Sequence, residues 1–70
     1  MQTRFQIIPL KFARLGDWVE FSRGPRSRVW RGTLEAYIGD CLIVNLVPSN
    51  MECIVCPEEI ISIKRPIPVG

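Results

Sequence analysis

Cysteine and arginine are the residue types in this chain whose spacing invites chemistry. Cys53 and Cys56 lie two residues apart, the spacing of half a zinc knuckle, and Cys41 is available as a third ligand. Three features argue against a metal. Alternation along an extended strand sends Cys53 and Cys56 to opposite faces, the intervening Ile54 and Val55 are strand formers, and the chain has neither a fourth cysteine nor a histidine. The cysteines are therefore expected to be inert and partly buried in a reducing compartment, with no metal and no cofactor. Without histidine the usual neutral-pH base is also missing. Asp17 and Asp40 each follow a glycine in a turn, where carboxylates satisfy local amides, and Glu58 with Glu59 reads as a solvated pair. No phosphate-cradling loop, nucleophile elbow or two-metal carboxylate set is present, so the expectation is a protein that is not an enzyme.

The arginines carry the stronger signal. Arg23, Arg26 and Arg28 fall in a loop, "SRGPRSR", turned at Gly24-Pro25, and Arg31 follows just inside the next strand. Four guanidinium groups in nine residues repel one another, and an anionic partner removes that cost. The expected function is binding of DNA or RNA: Arg23, Arg26, Arg28 and Arg31 hold phosphates, Lys64 and Arg65 extend the surface, and Tyr37 or Trp18 stacks on a base. The plainer alternative is a solvated loop whose arginines only keep the surface soluble. Trp30 shares an inward face with Gly32, Leu34 and Ala36, which makes it core rather than platform. A second hypothesis comes from another class. Tyr37, Ile43, Ile54 and Cys56 fall on the outer face, where they would make an apolar interface for a homo-oligomer or another protein partner.

The elements that must position these residues centre on Val29 to Val47, two alternating runs flanking a Gly39-Asp40 turn. A two-residue turn sets Leu34 opposite Asn45. A three-residue turn over Gly39, Asp40 and Cys41 instead sets Leu34, Ala36 and Ile38 opposite Leu46, Val44 and Leu42, giving one wholly apolar face, and is the register expected. "GDWVEF" supplies an earlier strand with Val19 and Phe21 inward. Residues 51 to 56 supply another with Met51, Cys53 and Val55 inward, then Pro57-Glu58-Glu59 makes one tight turn before a last strand from Ile60 to Ile63. The division is a 1–15 N-terminal arm or edge strand, a 16–63 folded unit and a 64–70 extended tail.

Seventy residues allow one small core, marginal without help from a partner or oligomer, and 47% hydrophobic content excludes a disordered middle. The net charge of +2 fits a nucleic-acid partner and equally a protein that binds none. No apolar stretch is long enough to span a membrane, so no membrane and a cytoplasmic location are expected. About five short strands in so few residues predict an all-β five-stranded barrel or a strongly bent antiparallel sheet.

In order and spacing, "GDWVEF", a long loop, "WRGTLEAYIGDCLIVNLV", "MECIVC", "PEE" and "IISI" resemble the SH3-like small β-barrels. "GDWV", "WRG" and a strand ending at a proline are similar to the plasmid-type dihydrofolate reductases among them. In that family a Val-Gln-Ile-Tyr strand before a proline lines a pore made by four chains and binds substrate and cofactor. Here Cys53 to Cys56 precede Pro57, with Ile54 in place of the glutamine and Cys56 in place of the tyrosine. The resemblance thus implies the barrel and an assembly through this strand, but not the reductase activity.

Overall fold

The structure, a computed structural model, describes residues 4–67. The ends of the expected arm and tail, 1–3 and 68–70, lie outside the described residues. Six strands form: β1 (Arg4–Ile7), β2 (Trp18–Ser22), β3 (Val29–Ile38), β4 (Cys41–Leu46), β5 (Glu52–Val55) and β6 (Ile60–Ile67). Short 3-10 turns at Leu10–Phe12 and Pro57–Glu59 join β1 to β2 and β5 to β6. All pairings are antiparallel, in the order β1-β6-β2-β3-β4-β5.

This architecture corrects the expected five-stranded barrel or strongly bent sheet. The sheet is open, with β1 and β5 at its two edges, and the likeness to SH3-like barrels and to the plasmid-type reductases does not extend to the fold. The reason lies in β6. Ile60 to Lys64 pair with β2, while Lys64 to Ile67 pair with β1, from Ile7↔Lys64 to Arg4↔Ile67. β6 is therefore used by β2 along its first half and by β1 along its second, and no ladder joins it to β5. Alternation shows which face of each strand is apolar, but it is silent on whether the two ends of a sheet meet.

The alternation itself is realised over most of the core. Val19 and Phe21 of β2, Leu34 of β3, Leu42 and Val44 of β4, Val55 of β5 and Ile63 of β6 are buried on one face, joined by Ile8. Leu10, Ala13, Trp30, Leu46, Cys53 and Ile60 pack around them. Met51, expected inward, lies before β5 and is 65% exposed. Gly32 serves close approach between β3 and β4: a Cβ there would collide with the Asn45 carbonyl and sit 2.7 Å from Val44 Cγ1.

The central hairpin also departs from the expected register. Its turn has two residues, Gly39 and Asp40, between the paired Ile38 and Cys41. Gly39 has φ +59° and Asp40 is not left-handed, the pattern of a turn with glycine at its first central position. Asn45 nevertheless does not face Leu34. A β-bulge between Leu34 and Ala36 inserts Glu35 as an extra residue, so Ala36↔Ile43 gives way to Leu34↔Val44 and the apolar face is restored. Asn45 sits opposite Thr33 and donates from Nδ2 to Glu35 Oε1 at 2.8 Å.

The bulge has a second effect. Beyond it the alternation is inverted, and Tyr37 pairs with the buried Leu42 rather than lying on the side of Ile43. Its hydroxyl donates to the Ala13 carbonyl and ties the hairpin tip to the segment that follows the first 3-10 turn.

Candidate nucleic-acid interface

The cations expected to act together are divided by the fold into paired and unpaired groups. Arg65, on β6, is a clamp: its Nε and Nη2 donate to Asp17 Oδ1 and Oδ2, each at 2.8 Å. Asp17 is buried, and its Oδ2 also accepts from the Arg14 backbone amide at 2.9 Å. The Arg65 hydrogen bonds hold the Asp17 carboxyl below its ordinary range against the opposing effect of burial. Lys64 and Arg31 share the Glu20 carboxylate, at 2.6 Å and 3.2 Å, and Ser62 Oγ donates to it at 3.4 Å. The Lys64 contact is the main reason that the Glu20 carboxyl also sits below its ordinary range.

Arg23 turns back across the sheet. Its Nη1 meets Glu59 Oε2 and its Nη2 donates to the Ile54 carbonyl, both at 2.9 Å, tying the β2–β3 loop to the far end of β5. Glu59 in turn accepts from the Cys56 amide at 2.9 Å, and this bond is the largest cause of its lowered pKa. Four of the six cations singled out in the sequence thus have carboxylate partners. Arg26 and Arg28 have none among the described residues.

Arg28 has a different partner. Its guanidinium carbon lies 3.8 Å from the centre of the Trp30 ring, within cation–π distance. Trp30 pairs with Phe21 and packs against the core on its inward side, yet it is only half-buried. The expected choice between core and platform is met by both: the ring is anchored by the core and leaves part of itself outside.

Around this pair lies a hollow of about 350 Å³, lined by Trp18, Arg28, Val29, Trp30, Arg31, Leu46, Val47, Pro48 and Ser49. Trp18 and Trp30 belong to opposite faces of the sheet by register, and both border this concavity together with Arg28 and Arg31. Trp18 comes from β2, Arg28 from the loop before β3, Val29, Trp30 and Arg31 from β3, Leu46 from the end of β4, and the remaining wall from the turn after it. That turn is held by hydrogen bonds from Asn50 N to Leu46 O at 2.8 Å and from Val47 N to Arg31 O at 3.0 Å. Asn50 has φ +63°, a conformation asparagine tolerates better than most residues. The contribution of this turn to the site was not foreseen; Pro48-Ser49-Asn50 signalled a turn but not its approach to Trp30.

Tyr37 is not at this hollow. It lines a separate one with Pro9, Leu10, Lys11, Gly39, Asp40 and Pro57. The expected interface set is divided as well. Ile43 and Ile54 are cross-strand partners, and Cys56 adjoins them beyond the end of β5, but Tyr37 lies on the other side. Ile38, opposite Cys41 at the hairpin tip, is exposed in its place.

Among the described residues no three His, Cys, Asp or Glu side chains are grouped to hold a metal ion, and no helix is long and apolar enough to cross a membrane. Compared with protein-family models, curated proteins and solved structures, the chain matches none.

Proposed function

We propose that the protein binds single-stranded nucleic acid at the Trp18, Arg28, Trp30 and Arg31 hollow, without catalysis. The observation that carries this reading is the placement of Arg28, which stacks on Trp30 beside a concavity and has no carboxylate partner among the described residues. An unstacked base has a π-face for Trp30, while its phosphates meet Arg26 and Arg28. Arg31 reaches the same hollow with its charge partly offset by Glu20. A duplex keeps its bases stacked away from such a site, so a single strand is the better fit. Three free thiols accord with a cytoplasmic location.

The test is binding of mixed-sequence single-stranded and duplex oligonucleotides across a salt series, read by tryptophan fluorescence and anisotropy. Single strands should bind more tightly, with affinity falling as salt rises because neutralised phosphates release counterions. Replacing Arg26 and Arg28 together by alanine should lower the log-log slope by about 1.4, the estimate for two single-strand contacts. Absence of binding at low salt refutes the reading.

A second reading, self-association, has its own observation. Ile54 is 51% exposed on β5, an edge strand with an unpaired side, next to Ile43. An edge with apolar side chains is a template for another strand, although here the Ile54 carbonyl already accepts from Arg23. Sedimentation should then show a dimer that Ile54→Lys converts to monomer, and a wild-type monomer at tens of micromolar rejects this reading.

A further inference from the structure

Cys41 and Cys56 are fifteen positions apart in the sequence, yet their Sγ atoms lie 3.2 Å from each other. The β4–β5 register explains this. Leu42 pairs with Val55, so the preceding Cys41 and the following Cys56 fall opposite one another at the end of the ladder. Both are half-buried, so neither sulfur is sealed from solvent. Cys53 is excluded from the pair, because it faces Val44 and packs against the core on the other side of the sheet.

We propose that Cys41 and Cys56 are a reversible dithiol–disulfide pair, closed by exchange with a low-molecular-weight disulfide. The Cys41 thiolate attacks one sulfur of that disulfide, whose S–S bond breaks, and one small thiol leaves with the proton that Cys41 gave up. Cys56 then loses its proton and attacks the Cys41 sulfur of the mixed disulfide, releasing the second small thiol. Two protein thiols are oxidised and one small disulfide is reduced, a two-electron exchange. The neighbouring Cys41 thiol pushes the Cys56 thiol up to about 11, with burial and the Glu58 and Glu59 carboxylates acting in the same direction. Held as the thiol, Cys56 is the slower of the pair to attack and is left to resolve the mixed disulfide. Once Cys41 carries the mixed disulfide, the thiol contact that raises Cys56 is gone, and Cys56 resolves it. The sulfurs must close by about 1 Å to bond, a movement within reach of a hairpin tip and a short connector.

The bond would have a structural consequence. Cys41 follows Asp40, Cys56 precedes Pro57, and Tyr37, Gly39, Asp40 and Pro57 line an apolar hollow of about 700 Å³. Oxidation pins the two sides of that hollow together and closes the chain between residues 41 and 56 into a covalent loop.

The test uses the full chain, reduced and then exposed to oxidised glutathione, with free thiols alkylated before intact-mass measurement and peptide mapping. The expected product has lost two hydrogens, links Cys41 to Cys56 and leaves Cys53 alkylated; Cys53→Ser gives the same link. Cys56→Ser should stop at a glutathione adduct on Cys41. The oxidised protein should unfold about 15 °C higher than the reduced one, as expected for a loop of this length. The proposal is overturned if the wild type accumulates the adduct without resolving it, if Cys53 enters the bond, or if the oxidised form unfolds no higher than the reduced form.

Discussion

The seam between β2 and β6 and the loop between β2 and β3 carry the same kind of charge and use it differently. In the seam, Asp17 takes both nitrogens of Arg65, and Glu20 takes Lys64 and Arg31. In the loop, Arg26 and Arg28 meet no carboxylate among the described residues, and Arg28 rests on Trp30. An arginine held by a buried carboxylate is part of the fold, whereas one on an exposed aromatic face keeps its charge for a ligand. Cation density in the sequence is thus a poor guide until the carboxylates have been assigned.

The comparison breaks first at Asp17. Asp17→Asn leaves Arg65 without its anionic partner and should lower stability by about 2 kcal/mol, a thermal midpoint roughly 10 °C lower, while oligonucleotide affinity per folded molecule stays unchanged. Denaturant melts and titrations on the same variant check both halves. A variant that bound more weakly without losing stability would place Arg65 with the ligand-binding group instead.

Acid should act on the seam in the same way. The ordinary pKa values are 3.8 for Asp17 and 4.5 for Glu20, and both are lowered in the fold. The unfolded chain therefore takes up protons at these groups before the folded chain does. Their stabilisation is complete above the ordinary values and is lost as pH falls through the lowered ones. Thermal midpoints should be level from neutrality to about pH 5 and then fall, with a shallower fall in Asp17→Asn.

Arg28→Ala tests the opposite arm. It should weaken single-strand binding about tenfold, by removing a phosphate contact and the cation over Trp30, and leave the melting midpoint within about a degree. A large stability loss would mean that the Arg28–Trp30 contact serves the core.

Glu20→Gln gives the smallest effect and the sharpest one. It releases Arg31 and Lys64 from their shared carboxylate, so affinity should rise about threefold while stability falls by less than about 1 kcal/mol, the range of partly exposed ion pairs. Unchanged affinity would show that neither cation reaches the ligand.

Much of the sheet was legible before any coordinates, because a period of two in side-chain burial is written directly into strand residues. Val19, Phe21, Leu34, Leu42, Val44 and Val55 are inward as their alternation requires. The hairpin register was not legible. With uninterrupted pairing the shorter turn sets Leu34 opposite Asn45, and a bulge at Glu35 allows the shorter turn and the apolar face together. Nothing in the local residue types marks that position, and simple alternation puts Tyr37 on the outer face when the bulge turns it to the side of Leu42.

The site was legible in its residue types and illegible in its partnerships. The sequence by itself determined an all-β chain, the inward face of most core residues, the arginine loop and the absence of histidine, since these follow from composition and local periodicity. Tertiary structure alone decided that β1 takes the second half of β6 and leaves the sheet open, that Asp17, Glu20 and Glu59 claim four of the cations, and that Cys41 meets Cys56. Each is a contact between residues far apart in the chain. Which of several chemically acceptable partners a group finds depends on strand order and register, and local pattern does not specify either across the whole sheet.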